Sequence, residues 1–233
     1  MNSHRETVMI RVVVSALLLI LLIYFGGVML NRVAFDAMMS RGKLCNPSDT
    51  ALLSSSTQRL VTTDSLCWAS GIRVEKGTRY QITLTIVDDW LDRTERADVG
   101  GFPTGTLVHF NAALLRRRWG EYWFKPIAKV GSTGREEHVL NPVSPLPPVK
   151  YKTPADVPGP RFEKIPASSA KSIVENQPTP AARKMLIAEM TAETTGELFL
   201  FVNDAVLGIP GHAGLFYQNN RGSATLAVTR LPN

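Results

Sequence analysis

A mainly β fold, a sandwich or barrel behind a single membrane-spanning helix, is what the sequence predicts. Three observations carry this. A nineteen-residue run without a charge lies near the N-terminus. A stretch at 78–87 alternates polar and apolar side chains. Further short apolar runs are separated by turns carrying Gly, Asn and Asp. The chain has 233 residues, 44% of them hydrophobic, enough for one domain with a buried core.

The charge-free run covers residues 12–30 and is bracketed by Arg11 and Arg32. At ~1.5 Å of rise per residue it spans about 28 Å, close to the ~30 Å of a bilayer's hydrocarbon. A buried helix of a soluble protein would keep a polar face. A cleaved signal peptide would have a shorter apolar region, roughly 7–15 residues, ending in small residues. This run ends in Val28, Met29, Leu30, Asn31 and Arg32. The reading is an uncleaved signal anchor at 12–30, after a short cytoplasmic leader at 1–11 and before a juxtamembrane segment at 31–44. Basic residues flank both ends, so the positive-inside rule is nearly balanced. Export of the C-terminal part is expected from the very short leader and from the cysteines. Cys45 and Cys67 both lie beyond the span. As an even pair in an exported domain they are a candidate disulfide, with two buried thiols as the alternative.

Past the anchor the chain reads as β. In 78–87, Tyr80, Ile82, Leu84 and Ile86 share one face, the period-two pattern of a half-buried antiparallel strand. Residues 71–74, 107–110, 127–130, 185–190, 197–202 and 224–229 are shorter strand candidates. Ten of the fifteen prolines lie between Pro142 and Pro180. Proline lacks a ladder donor, so 141–180 is expected as an extended insertion, with a short helix possible at 167–176. The β-sandwich domain is then 45–233, with its last strands completing the first sheet pair.

Motifs for nucleophilic, zinc or phosphate chemistry are absent from the sequence: no Gly-x-Ser-x-Gly, no His-Glu-x-x-His, no Cys-x-x-Cys and no phosphate-binding glycine loop. The expectation is that the chain is not an enzyme. Glu136, Glu137 and His138 read as a solvated turn after Gly134. Asp88, Asp89, Trp90 and Asp92 read either as one side of a calcium site or as a polar loop closed by a packed indole. His212 reads as an uninvolved loop histidine.

A strand ending in Asn203 and Asp204, a loop, and then Tyr217-Gln218-Asn219-Asn220-Arg221-Gly222 resemble galactose-binding-like jelly-roll domains. The likeness includes the calcium-dependent bacterial galactophilic lectins. That resemblance implies a jelly-roll β-sandwich in which Asp204, Asn219 and Asn220 hold a calcium ion. Backbone carbonyls near Phe216 and near Trp90 and Arg93 would complete it, and the ion would bind sugar hydroxyls. The loop between Asp204 and Asn219 is longer than in those lectins, and Phe216 replaces a small polar residue. The alternative is that Asn219, Asn220 and Gly222 are turn formers. A second resemblance runs from about residue 45 to the end. Leu66-Cys67-Trp68, Asp89-Trp90 with 97–103, 123–128 and 196–222 look like the C-terminal accessory region of bacterial type VI secretion phospholipase effectors. The lipase domain of that family is missing, and a membrane helix stands in its place.

Between 107 and 129, Arg116, Arg117, Arg118, Lys125 and Lys129 face one acid, Glu121, with Trp119, Tyr122, Trp123 and Phe124 interleaved. Such a stretch suits an anionic lipid or glycan surface, with core aromatics beside solvated arginines as the alternative. Expected ligand-binding residues are therefore Asp204, Asn219, Asn220, Trp90, Arg116, Arg118, Trp119 and Trp123. The whole reads as a non-catalytic binding module of the bacterial envelope, with no nucleic-acid partner. It would be anchored once in the inner membrane, with its domain in the periplasm. It would recognise glycan, lipid headgroup or a partner protein. The alternative is an immunity or accessory protein of a cognate lipase effector.

Overall fold

A computed structural model describes residues 2–49, 58–105, 107–143 and 183–232. Most of the proline-rich segment expected at 141–180, with its short helix, lies outside the described residues.

Helix α1 (Asn2–Ser40) is the one described helix long and apolar enough to cross a membrane, and only 6% of its apolar window is buried. It does not stop at the end of the apolar run. Residues 31–40, expected as a juxtamembrane segment, continue the same helix and enter the domain. Phe35 and Met39 are buried in the core cluster. Asn31 clamps the join: its Nδ2 donates to the Val206 carbonyl at 3.1 Å, and its Oδ1 accepts from Gly208 N at 2.7 Å. Gly208 is required there, because a Cβ would collide with the Asn31 carbonyl and the Ala34 side chain.

The rest is mainly β: nine described strands in two antiparallel sheets. One sheet runs β1 (Arg59–Thr62), β9 (Asn220–Arg230), β3 (Arg79–Asp92) and β4 (Glu95–Ala97), and β7 (Met185–Thr191) also pairs with β3. The other runs β2 (Trp68–Val74), β8 (Gly196–Val202), β5 (Pro126–Val130) and β6 (Glu137–Val139). The alternation read in the sequence is the packing: Tyr80, Ile82, Leu84 and Ile86 are buried while their neighbours are not. In β8, residues 197–202 are all buried, so both faces are covered. Phe201 meets the Arg117 guanidinium, and on its other side Arg117 lies over the Phe35 ring.

Residues 107–110, expected as a strand, instead open helix α2 (Leu107–Ala112). Period two would put Leu107 and His109 on one face. In the fold Leu107 is 81% exposed and His109 is 7% exposed, the opposite-face placement that helical geometry gives to residues two apart.

Cys45 and Cys67 form a disulfide with a Cα–Cα distance of 5.2 Å, joining the segment after α1 to the start of β2. The closed loop spans a separation of 22 residues. In the chain-entropy description such a loop contributes about 3 kcal/mol. The Cys45→Ser, Cys67→Ser double variant should therefore lose about 3 kcal/mol in denaturant unfolding, and unreduced wild type should show no titratable thiol. Two free thiols, or an unchanged midpoint, would contradict this.

Candidate functional site

The ends of β3, β8 and β9 meet α2 around a cleft of about 310 Å³. Asp92, His109, Trp123, Asp204, Phe216 and Asn219 are among its walls. Each wall is placed by the fold. Asp92 is the last residue of β3, and its partner across the ladder is Asn220, the first of β9. Asp204 follows β8 by two residues. His109 is carried inward by α2, where its Nε2 lies 2.9 Å from Asp92 Oδ2. The ring of His109 stands edge-on to Phe102 and tilted against Trp123, both at 5.0 Å. Arg93, just past β3, has φ +55, the left-handed conformation that turns the chain along the cleft mouth.

Asp204 and Asn220 converge, as the sequence order of the motif suggested. Asn220 Nδ2 donates to Asp204 Oδ2 at 2.9 Å and to the Thr63 carbonyl at 3.2 Å. The other carboxylate oxygen, Oδ1, accepts from Ala205 N at 2.6 Å. Both residues are buried, Asp204 3% and Asn220 4% exposed. Asn219 lines the same cleft, and its carbonyl accepts from Arg93 N at 3.3 Å. Burial and the neighbouring Asp92 carboxylate push the Asp204 carboxyl up to about 7, against the hydrogen bonds from Asn220 and Ala205 and the influence of His109. The side-chain oxygens Asn219 Oδ1 and Asn220 Oδ1 are buried without a hydrogen-bond partner. An orphaned buried acceptor costs about 1–3 kcal/mol unless something satisfies it.

On the cleft wall, an unsatisfied Asn219 amide oxygen and a carboxyl that resists ionising are what a hard cation would relieve. The residues present therefore fit calcium, with Asp204, Asn219 and Asn220 as the holders. Among the described residues no group of three or more His, Cys, Asp or Glu is placed to hold a metal. The donors at this place are mostly amides, which makes for a weak site by charge.

The remaining expected ligand residues separate. Trp123 is buried and forms a cleft wall, with the Arg116 guanidinium over its ring at 5.1 Å. The Trp90 side chain is 2% exposed in the core, and Arg93 rather than Trp90 lines the cleft. Arg118 and Trp119 lie elsewhere, in a groove against α1. His109 is a cleft residue that the sequence does not mark, because the run 107–110 reads as a strand. Glu137, read as part of a solvated turn, is an inward carboxylate of β6 that holds Arg117 at 2.7 Å and Arg118 at 3.0 Å.

Comparison of the chain with models of known protein families and with curated protein sequences found no match. The functional reading therefore rests on the geometry.

Proposed function

We propose that the chain is a membrane-anchored binding module whose cleft takes a polyhydroxylated ligand, glycan or headgroup, through a calcium ion held by Asp204, Asn219 and Asn220. The observation that carries this is the buried, unpartnered Asn219 amide oxygen on the wall of the cleft that Asp204 also lines, with a second unpartnered amide oxygen on Asn220, the residue hydrogen-bonded to Asp204. The finer architecture in this reading is a galactose-binding-like jelly roll. The location is the bacterial inner membrane, with the domain on the oxidising, periplasmic side. The disulfide supports that side, since such bonds persist in oxidising compartments.

Calcium takes 6–8 oxygens, and the ion's chemistry here would be to accept ligand hydroxyls as the last of them. The protein residues do the rest: Asp204 supplies charge, the two asparagines supply amide oxygens, and Trp123 and Phe216 offer apolar walls. Calorimetry on the full chain in detergent should show little heat with calcium alone and saturable binding with calcium plus a galactoside. Asp204→Ala should weaken that binding at least about 10-fold. Wild type and variant equally silent would leave Asn219 and Asn220 as turn formers.

A further inference from the structure

A second depression lies where α1 meets the domain. Met29 and Arg32 form one wall, and Arg118, Trp119, Gly120 and Glu121 the other, around an open volume of about 560 Å³. Its position is fixed by chain geometry. Met29 belongs to the apolar run, and Arg32 lies two residues past its end at Leu30, about 3 Å of helix rise. The groove thus straddles the level at which α1 leaves the hydrocarbon.

The far wall is built. Asn203, fully buried, accepts from Arg118 N at 2.8 Å through Oδ1. Its Nδ2 donates to the carbonyls of Arg118 at 3.0 Å and Tyr122 at 2.9 Å. The 118–122 turn is therefore held rigidly by the end of β8. Trp119 donates its indole N–H to the Leu114 carbonyl at 2.9 Å, and the Arg32 guanidinium lies over its ring at 5.8 Å. The indole is 40% exposed, the amphipathic placement that tryptophan takes at membrane interfaces. Arg32 also donates to the Arg117 carbonyl, which locks the helix to this wall.

The cations are only partly neutralised: Arg32 Nε lies 3.5 Å from Asp36 Oδ2 in a half-exposed pair, and the Arg32 and Arg118 side chains still reach solvent. Arg118 is 35% exposed at its side chain, and its Nε is buried with no hydrogen-bond partner. Glu137 is shared between Arg118 and Arg117. Glu121 is engaged by Lys125 at 2.7 Å.

We propose that this groove is a binding site for the headgroup of an anionic phospholipid from the leaflet in which α1 ends. The phosphodiester meets the guanidinium groups of Arg32 and Arg118. The glycerol backbone lies against Trp119, and an acyl chain runs down α1 past Met29. The bilayer is the occupant because the helix that forms one wall is the membrane span itself. The inference rests on the membrane-anchored reading and is independent of the calcium cleft.

The test uses full-length protein in nanodiscs that contain phosphatidylglycerol or phosphatidylcholine brominated on the acyl chain near the interface. Trp119 fluorescence is read as the difference between wild type and Trp119→Phe. A second reporter, Phe25→Trp in the Trp119→Phe background, reads the helix inside the hydrocarbon. Each engaged guanidinium should favour the anionic lipid about fivefold. Trp119 should therefore be quenched at a roughly 25-fold lower fraction of brominated phosphatidylglycerol than of brominated phosphatidylcholine, and Arg118→Gln should cut that preference about fivefold. Equal quenching by both lipids overturns the site, since it is ordinary boundary lipid. No quenching at Trp119 with quenching at residue 25 also overturns it while leaving the anchor intact. No quenching at either position overturns the anchor, and the groove's ligand with it.

Discussion

Glu137→Gln should cost the folded domain about 3–5 kcal/mol, the range for breaking a buried ion pair by removing one partner. The reason lies in Arg117, whose side chain is 1% exposed. It is wedged between the Phe35 and Phe201 rings, and its Nη1 donates to the Leu66 carbonyl at 3.0 Å. Its charge is compensated by Glu137 at 2.7 Å. A neutral amide at 137 would strand that guanidinium in the interior. The pair Arg117→Met, Glu137→Leu removes both charges and should be far milder than Glu137→Gln. Denaturant unfolding of the full chain compares both variants with wild type. A loss under about 1 kcal/mol for Glu137→Gln would mean that solvent reaches Arg117.

The same pair sets a pH dependence. Burial pushes the Glu137 carboxyl up, but Arg117, Arg118 and Lys129 outweigh it and hold the group below its ordinary value of 4.5. A depressed folded value means that the stabilisation is complete above about the ordinary value. It is lost as pH falls through the lower, folded one. Wild type should therefore lose stability on acidification below that value more steeply than Glu137→Gln, which has no carboxylate to protonate at this position.

What was legible in the sequence, and what was not, follows from the range of the interactions. β3 was readable because its pattern is local: alternate residues face alternate sides, whatever they pair with. The Asp204–Asn220 convergence was readable only as a motif, since they lie sixteen positions apart in the chain and nothing local requires them to meet. Asp92 was half readable, as one carboxylate of an acidic stretch. His109 was not, because an apolar run of four residues carries no dependable period, and its helix is fixed by tertiary contacts such as the Asp92 hydrogen bond. Glu137 beside Glu136 looked like surface. Its role depends on Arg117, and neither residue carries a local sign of burial. The continuation of α1 past the apolar run was not legible for a related reason. The apolar run ends at Leu30, but residues 31–40 exchange an exposed apolar surface for a protein-facing one, and their spacing of Phe35 and Met39 is helical.

Phe35→Ala should cost about 3–5 kcal/mol, as truncation of a buried aromatic does. Leu30→Ala should cost almost nothing in the folding of the domain, because Leu30 is 71% exposed just before the Asn31 clamp. Phe35 is 1% exposed, and the Arg117 guanidinium lies over its ring at 5.4 Å. Its loss opens a cavity beside the charge that Glu137 compensates, so the two variants should be non-additive when combined. Unfolding of the full chain in mild detergent, followed by tryptophan fluorescence, compares the two. If Phe35→Ala proves as mild as Leu30→Ala, α1 is a tether and the domain swings freely from the membrane. If the loss is several kcal/mol, the last turns of α1 are a core element, and the helix axis fixes how the domain is oriented relative to the apolar run.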